Sequence, residues 1–310
     1  MKILFRKLRS FKSRSYLFYK IYIYGFFISF ISIHRNKNFL KRCKSQWLQH
    51  NNASLNPILS SNGIVLVKNV ISINLCSKFS RLFDCPDAGE IFFGNDRYPL
   101  REWSNNPQLK TIPLSSVDYH QIISFPNQLL KDLVREIYNP VVRPLEAHVG
   151  SYLRLRMVQS YRTFSQSTSS NKVPKNHSSF KWHHDNSPFN TFKLMIFLSD
   201  VFPSSGPFEY LLKSHRDVKT RPGFGGSRYS DSIHKKYQTL VCTGSTSDGA
   251  LFDVSGIHRG GRTIEGNRDV LILEFIPSLI PFQQHFESFG VLPANDVGVF
   301  FSPESIWGHK

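Results

Sequence analysis

The sequence has few cysteines and lacks the patterns that mark several large protein classes. Its 310 residues include four cysteines, with no C-x-x-C pair and too low a density for a disulfide-stabilised scaffold. We therefore expect reduced, partly buried thiols, as in a cytosolic protein. No G-x-G-x-x-G or P-loop pattern is present, which argues against a Rossmann or P-loop nucleotide site.

Acidic side chains are absent from the first 44 residues. Residues 1–44 hold 12 Lys or Arg and no Asp or Glu, whereas the rest of the chain holds 27 basic and 22 acidic residues, a balance of only +5. The net charge of +17 therefore belongs mainly to the N-terminal segment. The remainder gives little reason to propose nucleic-acid binding, and we expect none.

A clean transmembrane or signal sequence is also missing. Residues 16–33 are apolar and aromatic-rich, but Lys20 and four tyrosines interrupt them, and no good cleavage site follows. Three interpretations stay open for residues 1–44: a helix on the membrane surface whose cations meet anionic lipid, a spanning anchor, or a helix packed on its own domain with a solvated basic tail. The first interpretation would place a cytoplasmic protein on the inner face of a membrane.

Beyond residue 45 the chain has the pattern of a mainly β domain with flanking helices. The Asn/Ser-rich stretch 45–62 is typical of a linker, and residues 84–122 show no clear periodicity. Apolar spacing predicts helices over 72–83, with Ser72 as N-cap, and over 127–138. Strands are predicted at 63–70, 152–162, 192–199, 208–212, 250–254 and 270–275. This order indicates a jelly roll with helical buttresses over 63–280, and a C-terminal extension, 281–310, packed on the domain or partly flexible.

The strand predicted at 152–162 alternates apolar and polar residues. Arg154 and Arg156 are expected on a solvated face. Gln159, Tyr161 and Arg162 are nearer in sequence to the motif described next, so they are candidates to line a pocket.

A short stretch before a strongly apolar strand carries metal-ligating side chains. It reads Lys181-Trp182-His183-His184-Asp185-Asn186. An extended backbone places His183 and Asp185 on one face, roughly 6.5–7 Å apart, and His184 on the other. The best candidate for a third ligand is His258. Two histidines and one carboxylate form the facial triad that leaves three positions open on non-haem Fe(II), where a co-substrate and dioxygen can bind.

Several further motifs follow one another in an order that resembles the phytanoyl-CoA dioxygenase family, over roughly residues 60–277. They are the strand at 63–70, His183-x-Asp185, Ser205-Gly206-Pro207, Ser214-His215-Arg216, Gly249–Asp253, His258-Arg259-Gly260 and Arg268. The resemblance implies a cupin-like double-stranded β-helix, and a dioxygenase that depends on Fe(II) and 2-oxoglutarate and hydroxylates its substrate.

The resemblance also implies roles for particular residues. His183, Asp185 and His258 would be the catalytic iron ligands, and Arg268 would pair with the distal carboxylate of 2-oxoglutarate, which its planar fork matches. One departure is Gly260, since a hydroxyl at that position can assist co-substrate binding. The auxiliary contact is then either missing or supplied by Ser255, Thr263 or Lys193. Lys193 and Gln159 complete the predicted cofactor-binding set. A second departure is the loop before the second half of the barrel, which often reads Pro-Gly-Ser-His in the family and here reads Leu212-Lys213-Ser214-His215.

Two other functions stay open from sequence. One is a catalytically lapsed, metal-binding β-helix that acts as a membrane-associated binding module. The other is a zinc hydrolase using the same ligands, although no nearby Glu or Asp is suited to act as its general base. The expected substrate is a small organic or lipid-like molecule, which the sequence does not identify further, and it does not define the oligomeric state.

Overall fold

The computed structural model describes residues 38–48, 57–85, 89–93, 96–99, 120–123, 127–165, 180–185, 190–217, 228–282 and 299–301. The chain divides into two compact units, Met1–Arg42 and Cys43–Lys310. The second unit contains the two sheets and the candidate site described below. Most of the N-terminal segment 1–44, including the apolar stretch 16–33, lies outside the described residues. Within the described ranges, no helix combines the length and the hydropathy that crossing a bilayer requires.

Five α-helices occur in the described part of the chain. They are α1 (38–48), α2 (Pro57–Asn62), α3 (Ile73–Leu82), α4 (Asn127–Ile137) and α5 (Arg143–Val149). The predicted cap of α3 is confirmed, because the Ser72 hydroxyl accepts a hydrogen bond from the Leu75 N–H at 3.2 Å. A π-helical turn, Tyr138–Val142, joins α4 to α5, and it contains Pro140, which cannot donate a helical hydrogen bond.

The described strands form two antiparallel sheets. The strands are β1 (Ile64–Val67), β2 (Gly89–Phe93), β3 (Asp96–Pro99), β4 (His120–Ile123), β5 (Tyr152–Phe164), β6 (Phe192–Phe197), β7 (Phe208–Leu211), β8 (Thr239–Cys242), β9 (Gly249–Asp253), β10 (His258–Gly260), β11 (Asn267–Ser278) and β12 (Val299–Phe301). The large sheet has the order β1-β9-β6-β11-β5-β4-β2-β3, with β12 also paired to β5. The small sheet has the order β10-β7-β8. The mainly antiparallel fold with flanking helices agrees with the prediction, and the large sheet is not closed.

The two faces of the large sheet are buried in different ways. On one face, Leu194, Leu271 and Leu273 belong to a core shared with residues of α3, α4 and α5. On the other face, Met195, Phe252 and Ile272 share a core with Phe208 and Tyr210 of the small sheet. Because side chains alternate along strands, β5, β6 and β11 send every second residue into the space between the sheets. The candidate site lies in that space.

The residues predicted to be irregular, 84–122, contain three strands. These are β2, β3 and β4, which form the outer part of the large sheet. Their sequences, GEIFF, DRYP and HQII, are short, and DRYP of the edge strand β3 carries two charged residues and a proline, as edge strands commonly do. Such strands lack the alternation on which strand prediction depends.

The stretch predicted to be a linker, 45–62, also contains regular structure. The last residues of α1 reach residue 48, and α2 occupies Pro57–Asn62. Trp47 and Leu59 are buried. A helix of six residues with one buried side chain is too short to show a 3.6-residue period. Of the predicted extension 281–310, the structure describes residues 281–282 and β12.

The expectation that Arg154 and Arg156 are solvated is wrong. Arg154 is 4% exposed, and Arg156 forms an ion pair with Glu274. β5 lies inside the large sheet, where both of its faces are covered, so its polar residues need buried partners. The prediction assumed that one face of this strand is exposed to solvent, and that assumption is wrong.

Glu146 gives the fold a pH dependence that can be measured. Burial raises the pKa of this carboxyl to about 7, from 4.5. The folded state therefore binds a proton more tightly than the unfolded chain does, so this group favours folding most below pH 4.5 and loses that contribution as pH rises to 7. Glu146→Gln keeps an acceptor for the Leu153 N–H. We expect it to increase the free energy of unfolding at pH 8 by about 2–3 kcal/mol relative to wild type, with little change at pH 4.5.

Chemical denaturation at pH 4.5 and 8 measures this effect. Glu265→Gln, at an exposed position, is the matched control and should change stability by less than about 0.5 kcal/mol at either pH. Equal stability of wild type and Glu146→Gln at pH 8 would contradict the assignment.

Candidate metal centre

His183 and His258 face each other across a short antiparallel bridge. The backbone N–H of each donates to the carbonyl of the other, at 2.9 and 2.7 Å. Their ring centroids are 4.5 Å apart. His258 opens β10, and Phe208, Tyr210 and Phe252 surround its ring. The bridge thus joins two histidines that are distant in sequence and holds both imidazoles on the same side.

Asp185 completes the group. Its Oδ1 lies 3.8 Å from Nε2 of His183 and 3.7 Å from Nε2 of His258. One ligand atom from each of the three residues falls within 4.8 Å of the others. The Asp185 N–H donates to the Val254 carbonyl at 3.1 Å, which fixes the backbone at this position. Across the ranges that the structure describes, this is the one group of three His, Cys, Asp or Glu side chains arranged to hold a metal ion.

Backbone carbonyls determine which nitrogen of each histidine is available. Nδ1 of His183 lies 2.7 Å from the Lys181 carbonyl, and Nδ1 of His258 lies 2.9 Å from the Gly256 carbonyl. A carbonyl can only accept, so each Nδ1 carries the proton and each Nε2 has a free lone pair. Metal-ligating histidines are usually oriented by such a contact. Both lone pairs belong to the nitrogens nearest Asp185.

The protonation states of the three residues suit a metal. Burial lowers the pKa of His258 to about 3, and burial also lowers the pKa of His183. Burial would raise the pKa of Asp185, but the ammonium group of Lys193 outweighs it and holds that pKa well below its usual range. At neutral pH the site therefore presents two neutral imidazoles and a carboxylate, the forms that bind metal ions.

A row of alternating charges extends from Asp185 into the sheet. The Lys193 Nζ lies 2.6 Å from Oδ2 of Asp185 and 3.7 Å from Oε2 of Glu274. Oε1 of Glu274 lies 2.9 Å from Nε of Arg156. Lys193 and Glu274 are paired across β6 and β11. The two acidic and two basic side chains of this row thus balance one another in charge.

Arg268 carries a buried charge of a different kind. It is 3% exposed, and its Nη2 donates to the Thr163 hydroxyl at 3.4 Å. Its Nε and Nη1 are buried without a hydrogen-bond partner among the described residues. The neighbouring Asp269 pairs instead with Arg162. An uncompensated buried cation is costly, so the arrangement favours an anionic ligand at Arg268.

A cavity of about 200 Å³ adjoins the His-Asp-His group, Lys193 and Arg268. All six residues predicted from sequence to form the site line it: His183, Asp185, His258, Arg268, Lys193 and Gln159. The other lining residues are Met157, Tyr161, Thr163, Phe180, Met195, Phe208, Phe252, Gly260 and Ile272. The predicted metal ligands and the predicted carboxylate partner therefore line the same cavity. Lys193 contacts Asp185 there.

Comparison with known proteins gives distant structural likenesses. No family model matches the sequence, and no curated protein matches it. Among solved structures, the non-heme alpha ketoglutarate dependent epimerase SnoN from nogalamycin biosynthesis is 16% identical, with a TM-score of 0.48 over 77% of this chain and 83% of that one. HygX from Streptomyces hygroscopicus, with nickel and 2-oxoglutarate bound, is 15% identical, with a TM-score of 0.46 over 74% and 89%. EctD from S. alaskensis, with bound Fe, is 14% identical, with a TM-score of 0.48 over 73% and 78%. Membership of the phytanoyl-CoA dioxygenase family stays a prediction.

Two features of the site were missed from sequence. Thr163 lies on the same face of β5 as Gln159 and Tyr161, so period-two alternation could have identified it. Glu274 interrupts the apolar run of β11, and a charged residue in a buried strand is itself a signal. His184, by contrast, turns away from the site as strand alternation predicts, and its Nδ1 lies 2.9 Å from the Tyr229 hydroxyl.

Proposed function

We propose that this protein is an Fe(II)- and 2-oxoglutarate-dependent dioxygenase that hydroxylates a small organic or lipid-like substrate. One observation carries the proposal: a His-Asp-His triad and an uncompensated buried arginine line the same cavity. The triad suits a metal that keeps open positions, and the arginine suits a carboxylate. A co-substrate that is both a metal chelator and a carboxylate would use both features.

The residues that line the cavity fit both Fe(II) and 2-oxoglutarate. Nε2 of His183, Nε2 of His258 and Oδ1 of Asp185 would hold Fe(II). Arg268 would bind the distal carboxylate of 2-oxoglutarate through its unpartnered Nε and Nη1, with Thr163 beside it and Gln159 in the lining of the same cavity. With both groups bound, the centre supplies oxidation of a C–H bond by dioxygen, coupled to conversion of 2-oxoglutarate to succinate and CO2.

The remaining lining sets the surroundings for this chemistry. Met195, Phe252 and Ile272 present apolar surface to the cavity, which lowers the polarity around the ligand atoms. Contact of residues 1–44 with the inner face of a membrane belongs to the same proposal, because it would bring a cytoplasmic enzyme close to a lipid-like substrate.

Succinate formation tests the proposed function. Protein supplied with Fe(II), 2-oxoglutarate and air should release succinate slowly without added substrate, and omission of Fe(II) or addition of a chelator should stop the release. Metal binding without 2-oxoglutarate binding would instead favour the catalytically lapsed binding module. Wild-type protein that binds neither group would overturn the proposal.

A further inference from the structure

The two oxygens of Asp185 have different partners. Oδ2 lies 2.6 Å from the Lys193 ammonium, whereas Oδ1 faces Nε2 of His183 and of His258 at 3.8 and 3.7 Å. The Lys193 contact is a charge-assisted hydrogen bond, the stronger class of such bonds. The carboxylate is therefore held with one oxygen directed toward the imidazoles and the other occupied.

The Lys193 ammonium also has a second acidic partner, Glu274. Its Nζ lies 3.7 Å from Oε2 of Glu274, whose Oε1 forms an ion pair with Nε of Arg156 at 2.9 Å. The Glu274 side chain is 2% exposed and lies opposite Lys193 in the register of β6 and β11. A lysine side chain is normally flexible, but an acid on each side, of which Glu274 is buried, holds this one in place. The Lys193 ammonium already has two acidic partners, Asp185 and Glu274. It differs in this from Arg268, whose Nε and Nη1 have no hydrogen-bond partner among the described residues.

We propose that Lys193 is a positioning residue that makes Asp185 a ligand through Oδ1 alone. The inference rests on the proposed metal site. Carboxylates bind metal ions through one oxygen or through two. Binding through both oxygens would fill one of the three positions that a facial triad leaves open. Lys193 keeps that position available for the co-substrate or dioxygen by occupying Oδ2.

The role proposed here differs from the auxiliary co-substrate contact that the sequence predicts for Lys193. If Lys193 only contacted the co-substrate, replacing it would change only the complex that contains 2-oxoglutarate. A positioning role affects the metal centre before 2-oxoglutarate is added. The two roles therefore separate in a protein that holds metal alone.

Co(II) is the probe, because its visible spectrum reports the number and arrangement of ligands. We expect Lys193→Met to change the spectrum of the Co(II)-loaded protein in the absence of 2-oxoglutarate. The same variant should weaken 2-oxoglutarate binding to the Co(II)-loaded protein about tenfold or more. Lys193→Arg retains a charged donor and should restore the wild-type spectrum.

Lys68→Met is the matched control. Lys68 also lies 2.6 Å from an aspartate oxygen, that of Asp248, but its side chain is 73% exposed and it does not line the cavity. Neither the Co(II) spectrum nor 2-oxoglutarate binding should change in this variant. Because Lys193→Met leaves two acids without their shared cation, it could fail to fold. Lys193→Met/Glu274→Gln removes one of those acidic charges and carries the same expectation.

Two results would overturn the inference. An unchanged Co(II) spectrum in both Lys193→Met variants would remove the positioning role, and weaker 2-oxoglutarate binding alongside it would assign Lys193 to the co-substrate directly. Failure of wild-type protein to bind Co(II) in a His183-dependent way would overturn the proposed metal site as well. The wild-type titration is therefore performed first.

Discussion

Replacing His183 by alanine is expected to weaken Co(II) and Fe(II) binding by about 100-fold or more and to stop succinate formation. Changes to residues that merely orient a metal ligand cost 10- to 100-fold in affinity, so loss of a ligand should cost at least as much. The described residues offer no second group of His, Cys, Asp or Glu to replace it. Calorimetric titration with Co(II) measures the affinity, and succinate release measures the activity.

The adjacent histidine provides the control. His184 is fully buried, and its ring faces Tyr229 instead of the cavity. His184→Phe keeps most of its volume, so this variant should retain metal binding. The assignment of ligands is wrong if His183→Ala binds Co(II) as tightly as wild type, or if folded His184→Phe does not bind it.

Replacing Arg268 by methionine is expected to weaken 2-oxoglutarate binding by about 100-fold or more, because truncating one partner of a buried charge pair costs about 2–5 kcal/mol. Metal affinity should stay close to that of wild type, since Arg268 does not contact the triad. The ligand-free variant should also be more stable than wild type, by about 1–3 kcal/mol. Methionine removes a buried cation whose Nε and Nη1 have no partner among the described residues.

Arg162→Met is the matched control for this prediction. Arg162 also lies on the β5–β11 pair, but its guanidinium binds Asp269 and Asp84 outside the cavity. This variant should lose stability and keep 2-oxoglutarate binding. Calorimetry and denaturant unfolding on both variants give the comparison. Loss of stability together with unchanged 2-oxoglutarate binding in Arg268→Met would assign the arginine a purely structural role.

Local rules were sufficient for the part of the site that lies within one segment. Strand alternation separated His183 and Asp185 from His184, and the structure places them as that rule requires. The N-cap at Ser72 and the helix at Asn127–Ile137 also follow from local spacing. His258 and Arg268 required the order of motifs along the chain, because their proximity to His183 depends on strand pairing.

The features that sequence did not predict depend on non-local pairing. Arg156 had the pattern of a solvated residue, since nothing in its own segment shows that Glu274 lies beside it. The contact between Lys193 and Glu274 exists because β11 pairs with β6, far away in sequence. Strands β2, β3 and β4 are stabilised by neighbouring strands and have no strong pattern of their own.

The most direct test of the central claim is anaerobic addition of 2-oxoglutarate to the Fe(II)-loaded protein. Chelation of Fe(II) by the 2-oxo acid group of 2-oxoglutarate should produce a weak, saturable metal-to-ligand absorption band in the visible range. His183→Ala should lack the band, and Arg268→Met should require a far higher 2-oxoglutarate concentration to form it. Absence of the band in wild-type protein, with no 2-oxoglutarate binding by calorimetry, would contradict the claim.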